Sequence, residues 1–318
     1  MAVSCSLRHD SGISESEVCA VIVTFNAVAE QVESTVRRLS TMGAHVVLIE
    51  NGSEAPAAAA ITDIGETTQA EVIKLSANLG IAAAQNIGIQ YAVSVGASFV
   101  LLLDHDSLPA EDMVRKLLDA HQRLTLEGIK IGAVGPVSVD SRTLSKSGFV
   151  RLRGVRIARQ HCGDCGGVVE ADFLIASGSL ISIRVLQDVG GMNEGYFIDH
   201  VDTEWCLRAR ERQYRIFGVC DAALFHNLGE RVVRIWFGRI RELPVHSPIR
   251  NYYIFRNTVL MLKSVPMPFA WRFAHIFRLV QFMTFFVLAV SPRGKRLKLM
   301  ARGILDGLHG REGPLRNG

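Results

Sequence analysis

The run Leu101–Asp106, LLLDHD, is an apolar stretch of strand character that ends in two carboxylates, Asp104 and Asp106, two positions apart. Side chains alternate along an extended chain, so both point to the same side. A carboxylate or two, joined by the oxygens of a diphosphate, suits a hard divalent cation such as Mg²⁺ or Mn²⁺. The competing explanation is that Asp104 caps a turn and Asp106 caps the next helix. Two further segments carry polar or small residues in useful places. NLGIAAAQNIGI (Asn78–Ile89) puts Gly80, Ala82, Ala83 and Ala84 at a helix entry, where backbone can approach a ligand and the helix end favours phosphate, with Asn86 able to hydrogen-bond it. Close helix–sheet packing needs the same small residues. FIDHVDTEWCLRAR gathers Asp199, Asp202 and Glu204, either as an acidic cluster or as a solvated turn with Asp202 capping a helix that contains Leu207. HCGDC (His161–Cys165) has one C-x-x-C pair and no second pair at zinc spacing, which suits a Gly-rich loop better than a metal or redox centre. No P-loop, dinucleotide fingerprint or nucleophile elbow is present.

The elements that must hold these residues read as alternating strands and helices. VCAVIVT (Val18–Thr24) and VVLIE (Val46–Glu50) are short β-branched runs, as in strands buried on both faces, with a helix-compatible Val28–Ser40 between them. Glu71–Leu75 is a short apolar run, Ile81–Val93 a helix, Ser98–Leu103 a strand, and Ala110–Leu126 a helix with Pro109 in its first turn. This order predicts an α/β fold with a mostly parallel, doubly wound sheet. In such sheets ligands sit beyond the carboxyl ends of the strands. There the first strand ends in TFN (Thr24, Asn26), the second in ENGS (Glu50, Asn51) and the fourth in DHDS. After Val137 the pattern loosens into a Gly- and Arg-rich stretch, Asp140–Glu170, read as irregular or as a hairpin insertion. Ala171–Ile183 reads as strand interrupted at Ser177-Gly178, Asp202–Gln213 as helix, and the chain from Ser247 onward as helical, basic and aromatic.

The 318 residues suffice for one large or two modest domains, and 48% hydrophobic against 21% charged residues excludes a disordered or collagenous chain. Net charge is +4, but residues 231–318 hold 16 Lys/Arg against 3 Asp/Glu. A mildly acidic body followed by a basic, apolar tail points to a membrane surface rather than to nucleic acid. The N-terminus lacks a basic patch followed by an apolar core, so no signal peptide is expected. The six cysteines are expected as free thiols of a reducing compartment. No uncharged apolar run reaches spanning length; Leu279–Pro292 comes nearest.

Taken together, VIVTFN, LIENGS, NLGIAAAQNIG, LLLDHDS, the SGS of LIASGSL, GYFIDHVDTEWCLRAR and FHNLG resemble the family 2 glycosyltransferases, most closely their bacterial rhamnosyltransferase branch. RNYYIFRN (Arg250–Asn257) and RGILDGLHGREG (Arg302–Gly313) extend the likeness almost to the C-terminus. The resemblance implies a GT-A-type sheet at residues 18–246, after an N-terminal tail at 1–17, with a helical, membrane-associating extension at 247–318. It implies that Thr24, Asn26, Glu50, Asn51, Asn78, Gly80, Asn86 and Asp104 bind a nucleotide-sugar. Where this chain has Glu50 the family more often has Asp. Asp106 and His226 would hold Mg²⁺ or Mn²⁺, and Asp202 aligns with the catalytic base, supported by Asp199 and Glu204.

That alignment makes chemical sense, because an acceptor hydroxyl must lose its proton as it attacks the anomeric carbon. One base, one metal and no second nucleophile imply a single displacement with inversion. The expected donor is dTDP-rhamnose, with a UDP-sugar as the alternative. The expected acceptor is a lipid-linked saccharide or glycolipid, met on the inner, anionic face of the cell membrane, with the protein cytoplasmic and peripheral. A nucleotidyltransferase is disfavoured because FNAVAEQ stands where its phosphate loop belongs. A non-catalytic sugar-nucleotide-binding protein would not need Asp202.

Overall fold

The computed structural model describes residues 13–153, 156–163, 167–226, 232–236, 240–244 and 247–315. Its centre is a nine-stranded sheet. The β-branched runs form β1 (Val18–Thr24) and β2 (His45–Glu50), and β3 (Glu71–Lys74) and β4 (Phe99–Asp104) complete a parallel block in the order β3-β2-β1-β4. Between them run α1 (Ala29–Thr41), α2 (Ala55–Thr68) and α3 (Ile81–Ser94). The chain winds outward from β1 to β3 and then returns to place β4 on the other side of β1. The switch point therefore lies between the ends of β1 and β4, which carry Thr24 and Asp104.

The second half of the sheet is mixed. β5 (Ser107–Pro109) precedes α4 (Met113–Leu126), followed by β6 (Ile131–Asp140), the hairpin β7 (Phe149–Arg153) and β8 (Arg156–Gln160), then β9 (Val168–Ala171) and β10 (Leu180–Ser182). α5 (Ile183–Val189) and α6 (Val201–Glu211) lead into the long β11 (Arg215–His226). β10 is antiparallel to β4 and β6, whereas β6 and β11 are parallel. β12 (Val232–Trp236) and β13 (Ile240–Pro244) form a separate antiparallel pair. One apolar layer lies on each face of the sheet, so β1 is buried on both sides. α3 sits unusually close to the sheet, since a Cβ at Gly88 would come 2.2 Å from Val21 Cγ1.

Three helices close the chain: α7 (Pro248–Ser264), α8 (Phe269–Ala289) and α9 (Arg293–Leu308). Leu260 and Met261 of α7 join the main core, and Phe255, Phe286, Val290 and Met300 form a small core among the three helices.

Several expectations need correction. Pro109 ends β5 and does not open α4, which starts at Met113 because β5 pairs with β11 first. The six cysteines are not all free. Cys162 and Cys220 are disulfide-bonded, while Cys19 and Cys206 are free and buried. The loop after β8 folds onto β11, with Cys220 N–H donating to Gly167 O at 2.8 Å and Gly167 N–H to Asp221 at 3.1 Å, which brings the two sulfurs together. Cys5 and Cys165 lie outside the described residues. The apolar segment is also longer than Leu279–Pro292. α8 continues through Arg272 and Arg278, reaches 21 residues, and is by length and composition alone able to cross a membrane.

Candidate active site

The D-x-D segment sits where the strand pattern puts it. Asp104 ends β4, and its backbone N–H donates to Ser177 Oγ at 3.0 Å. Ser177 donates to Ser107 Oγ at 2.9 Å, and Ser107 Oγ lies 3.0 Å from His226 Nδ1. That nitrogen is 3.6 Å from Asp106 Oδ1. Buried Ser107 and Ser177 thus link the end of β4 to the end of β11. Burial pushes the Asp104 carboxyl above its ordinary range, and the negative charge of Asp106 pushes it further, against the pull of His226, His105 and Arg250.

Asp106 and His226 fit a divalent cation. Two ligands each about 2.1 Å from one ion stand roughly 3–4 Å apart, which brackets their separation. Among the described residues no three metal-ligating side chains converge, so two protein donors would leave the other positions to diphosphate oxygens and water. Asn227, Leu228 and Gly229 of the FHNLG segment lie outside the described residues.

The nucleotide-side residues are closely interlocked. Asn26, with φ 47°, accepts from Glu54 N–H at 2.9 Å, and Glu50 accepts from Ser53 N–H at 2.7 Å. Thr24 is buried and donates to Ile49 O at 3.4 Å. Asn51 donates to Asn78 Oδ1 at 3.2 Å and accepts from Leu79 N–H, while Asn78 also accepts from Gly80 N–H. Gly80 caps α3 with φ +88° and could carry no side chain, because a Cβ there would lie 2.6 Å from Phe197. The first amide of α3, Ile81 N–H, is taken by Phe197 O at 2.7 Å. Both ends of the Asn86 amide are engaged by Met192 and Glu194, so this side chain ties α3 to the loop before α6.

That loop is the most constrained part of the site. Phe197, Asp199 and His200 all have positive φ, a conformation that side chains disfavour by about 1–3 kcal/mol each. Asn257 of α7 holds it there, aiming its amide nitrogen at Tyr196 O, Ile198 O and Asp199 O at 2.8–2.9 Å. Arg256 donates to Gly195 O, Tyr196 O and Gly313 O, and both side chains are fully buried. Arg250 pairs with Asp199 at 2.5 Å. These three residues have no role in the sequence reading beyond the RNYYIFRN likeness, although a buried Arg-Asn pair on a helix face is a usable signal.

Beyond the loop, His200 precedes α6 and Asp202 lies in its first turn. Asp202 does not cap the helix from outside. Its Oδ1 accepts from Thr203 N–H at 2.6 Å and its Oδ2 from Ala176 N–H at 3.3 Å. Desolvation raises its carboxyl above the ordinary value, the amide bonds oppose that, and Asp104 adds to it. The structure therefore brings Asp202 and Asp104 within electrostatic reach of each other, although 98 residues separate them in the chain. Glu204 is buried and paired with Arg208 at 2.9 Å.

Comparisons with known proteins bear on the family and the fold. Residues 19–168 match the model of glycosyl transferase family 2. Over 300 residues the chain is 30% identical to the dTDP-rhamnosyl transferase RfbF of Shigella flexneri, covering 93% of this chain and 96% of that one. Among solved structures, GalNAc-T7 with UDP, GalNAc and Mn²⁺ superposes with a TM-score of 0.62 at 13% identity, over 94% of this chain and just over half (56%) of that one. The mannosyltransferase PcManGT from Pyrobaculum calidifontis, in complex with GDP-Man and Mn²⁺, gives 0.53 at 15% identity, over 94% and 78%. The fold is of the GT-A type, and the chain belongs to glycosyl transferase family 2, on its bacterial rhamnosyltransferase branch.

Proposed function

We propose that this enzyme transfers L-rhamnose from dTDP-L-rhamnose, with inversion, to a hydroxyl of a lipid-linked saccharide or glycolipid during cell-surface polysaccharide synthesis. The observation that carries the reading is the approach of His226 to Asp106 at the strand ends, 3.6 Å apart, with the Asp104 carboxyl feeling the charge of Asp106 and acting in turn on Asp202. The near full-length similarity to a dTDP-rhamnosyl transferase supports this donor over a UDP-sugar.

In this reading Asn26, Glu50 and Asp104 face the nucleotide and its ribose. Thr24, Asn51, Asn78, Gly80 and Asn86 shape the wall behind them through the hydrogen bonds described above. Asp106 and His226 hold Mg²⁺ or Mn²⁺, which when bound neutralises the charge that develops on the departing diphosphate. Asp202, made more basic by burial, takes the acceptor hydroxyl's proton as that oxygen attacks the anomeric carbon. The bond from that carbon to the diphosphate breaks, and dTDP leaves. Asp199, held by Arg250, and Glu204, held by Arg208, keep the base in place.

We assign residues 18–246 to catalysis and 247–318 to an extension that docks on the anionic inner face of the membrane. Supporting this, Phe269, Phe273, Ile276, Phe277 and Val280 of α8 are exposed, and Arg293, Lys295 and Lys298 are exposed at the start of α9. Trp271 and Phe286 of the same helix are buried. Arg296 is also buried, bonded to Asn251 at 2.6 Å. Because α8 is fastened at both ends to the rest of the protein through those residues, it lies along the surface and does not cross it. A donor screen tests the donor assignment: dTDP-rhamnose with Mn²⁺ should raise the melting temperature more than any UDP-sugar, and a UDP-sugar that stabilises more would replace it.

A further inference from the structure

α8 has two different stripes. Trp271, His275, Arg278 and Phe282 are spaced four, three and four residues apart and share one face. Trp271 donates its indole N–H to Asp172 at 2.9 Å and stacks on His275 with ring centroids 5.4 Å apart. The His275 ring is in turn 6.0 Å from that of His200, the residue that leads into α6 and Asp202. His275 is buried, and its Nε2 has no hydrogen-bond partner among the described residues. Arg278 follows one turn later on the same stripe, with its guanidinium 5.1 Å from the centre of the Phe282 ring. It is solvent-exposed and feels the charges of both Asp202 and Arg159.

Arg159 reaches the same place from the β7–β8 hairpin, where it pairs with Val150, which bridges to Phe173, itself packed on Trp271. Among the described residues neither arginine has an ion pair. The neighbouring acids are committed, Asp172 to Arg210 at 2.7 Å and Asp199 to Arg250. Two cations without an ion pair thus lie on the side of Asp202 that carries α8. The outer stripe of the same helix is bare hydrocarbon, with Phe273 62% and Phe277 52% exposed. A pair of cations bordered by an apolar helix face fits a ligand that joins a phosphate to a hydrocarbon chain.

We propose that Arg278 and Arg159 form a phosphate subsite for the acceptor, gripping the phosphate ester that joins the acceptor sugar to its lipid and so presenting a sugar hydroxyl to Asp202. This rests on the reading that the acceptor is lipid-linked. It assigns the substrate class as a saccharide on a lipid phosphate or diphosphate, in preference to a glycolipid without phosphate.

The test is calorimetric titration of the full-length protein in EDTA with farnesyl diphosphate, a short polyprenyl diphosphate without sugar, and with farnesol. The wild type should bind the diphosphate at least about tenfold more tightly than farnesol, the size of one charge-assisted hydrogen bond. Arg278→Gln and Arg159→Gln should each lose about tenfold for the diphosphate, and Arg278→Lys should recover most of it. Equal binding of farnesyl diphosphate and farnesol, wild-type binding by Arg278→Gln, or displacement of the diphosphate by dTDP would overturn the assignment. Phosphatidylglycerol vesicles distinguish a headgroup as the source: if Arg278→Gln weakens vesicle binding by the same factor, the site reads membrane lipid and not acceptor. Stabilisation by dTDP-rhamnose with Mn²⁺, measured on the same variants, reports on folding and on the donor reading separately. If the donor fails to bind while farnesyl diphosphate binds as predicted, the donor assignment falls and the subsite stands.

Discussion

Replacing Asn257 by Asp changes one NH₂ group into an oxygen and leaves the side chain's shape and volume almost unchanged. The bond from Arg256 Nε to Oδ1, 2.9 Å long, survives, which favours folding of the variant. What is lost is the donor that faces Tyr196 O, Ile198 O and Asp199 O. Tyr196 O keeps its bond from Arg256, so Ile198 O and Asp199 O are the carbonyls that lose a donor, and at about 1–3 kcal/mol for each buried carbonyl left unpaired the loop loses roughly 2–6 kcal/mol. That is comparable to the backbone strain at Phe197, Asp199 and His200 that the bonds oppose. The loop should relax, and the start of α6 with it. A displacement of Asp202 on the order of 1 Å lowers turnover about a hundredfold. The assay is steady-state kinetics with both substrates varied, alongside thermal melting. The account predicts a fall in kcat of about that size with a far smaller change in donor KM. Wild-type kcat in a folded Asn257→Asp protein would refute the argument that this amide positions the base.

Other outcomes follow from the same geometry. Asp106→Ala, or wild type in excess EDTA, should have almost no transferase activity while melting normally; full activity in EDTA would remove the metal from the account. For Asp104, the folded carboxyl titrates above its ordinary value of 3.8, so between those two values the folded chain binds more protons than the unfolded one. Stability therefore falls as pH rises through that window, and Asp104→Asn in EDTA should melt higher than wild type at pH 7, with the gain vanishing below about pH 3.8. An Asn variant that melts lower at pH 7 would show that the charge is well solvated. At the membrane, the protein should bind phosphatidylglycerol vesicles and leave them in high salt, since each basic residue near such a surface contributes roughly 1 kcal/mol. Binding that survives high salt and alkaline carbonate would mean α8 inserts.

Much of the catalytic framework was legible because it depends on local pattern. The runs at Val18–Thr24 and His45–Glu50 are β-branched and apolar enough to be buried strands in any context, and LLLDHD announces both a strand and its polar end. α2 carries no periodic signal because only Ile61, Ile64 and Gly65 are buried, too narrow a stripe. The rest depends on long-range contacts. Ser107 and Ser177 matter only because β5 and the turn before β10 meet at the end of β11. The Cys162–Cys220 bond spans 58 residues, and nothing in the spacing of HCGDC points to Cys220. Arg256 and Asn257 looked like part of a basic aromatic tail, yet they bond to backbone carbonyls about 60 residues earlier. Arg296 belongs to a run of positive charges in the sequence, and its bond to Asn251 and its packing over the Phe286 ring 5.0 Å away are contacts that only the fold supplies.

The central claim is a division of labour, with Asp106 and His226 on the donor's diphosphate and Asp202 on the acceptor's proton. It is tested most directly by measuring dTDP-rhamnose binding and rhamnosyl transfer side by side in Asp202→Asn. The account predicts donor affinity close to wild type in the presence of Mn²⁺, with transfer slowed by about 10²–10⁴, the usual contribution of a general base. Near-normal transfer in this variant, with Asp199→Asn inactive, would contradict the account and assign the proton to Asp199.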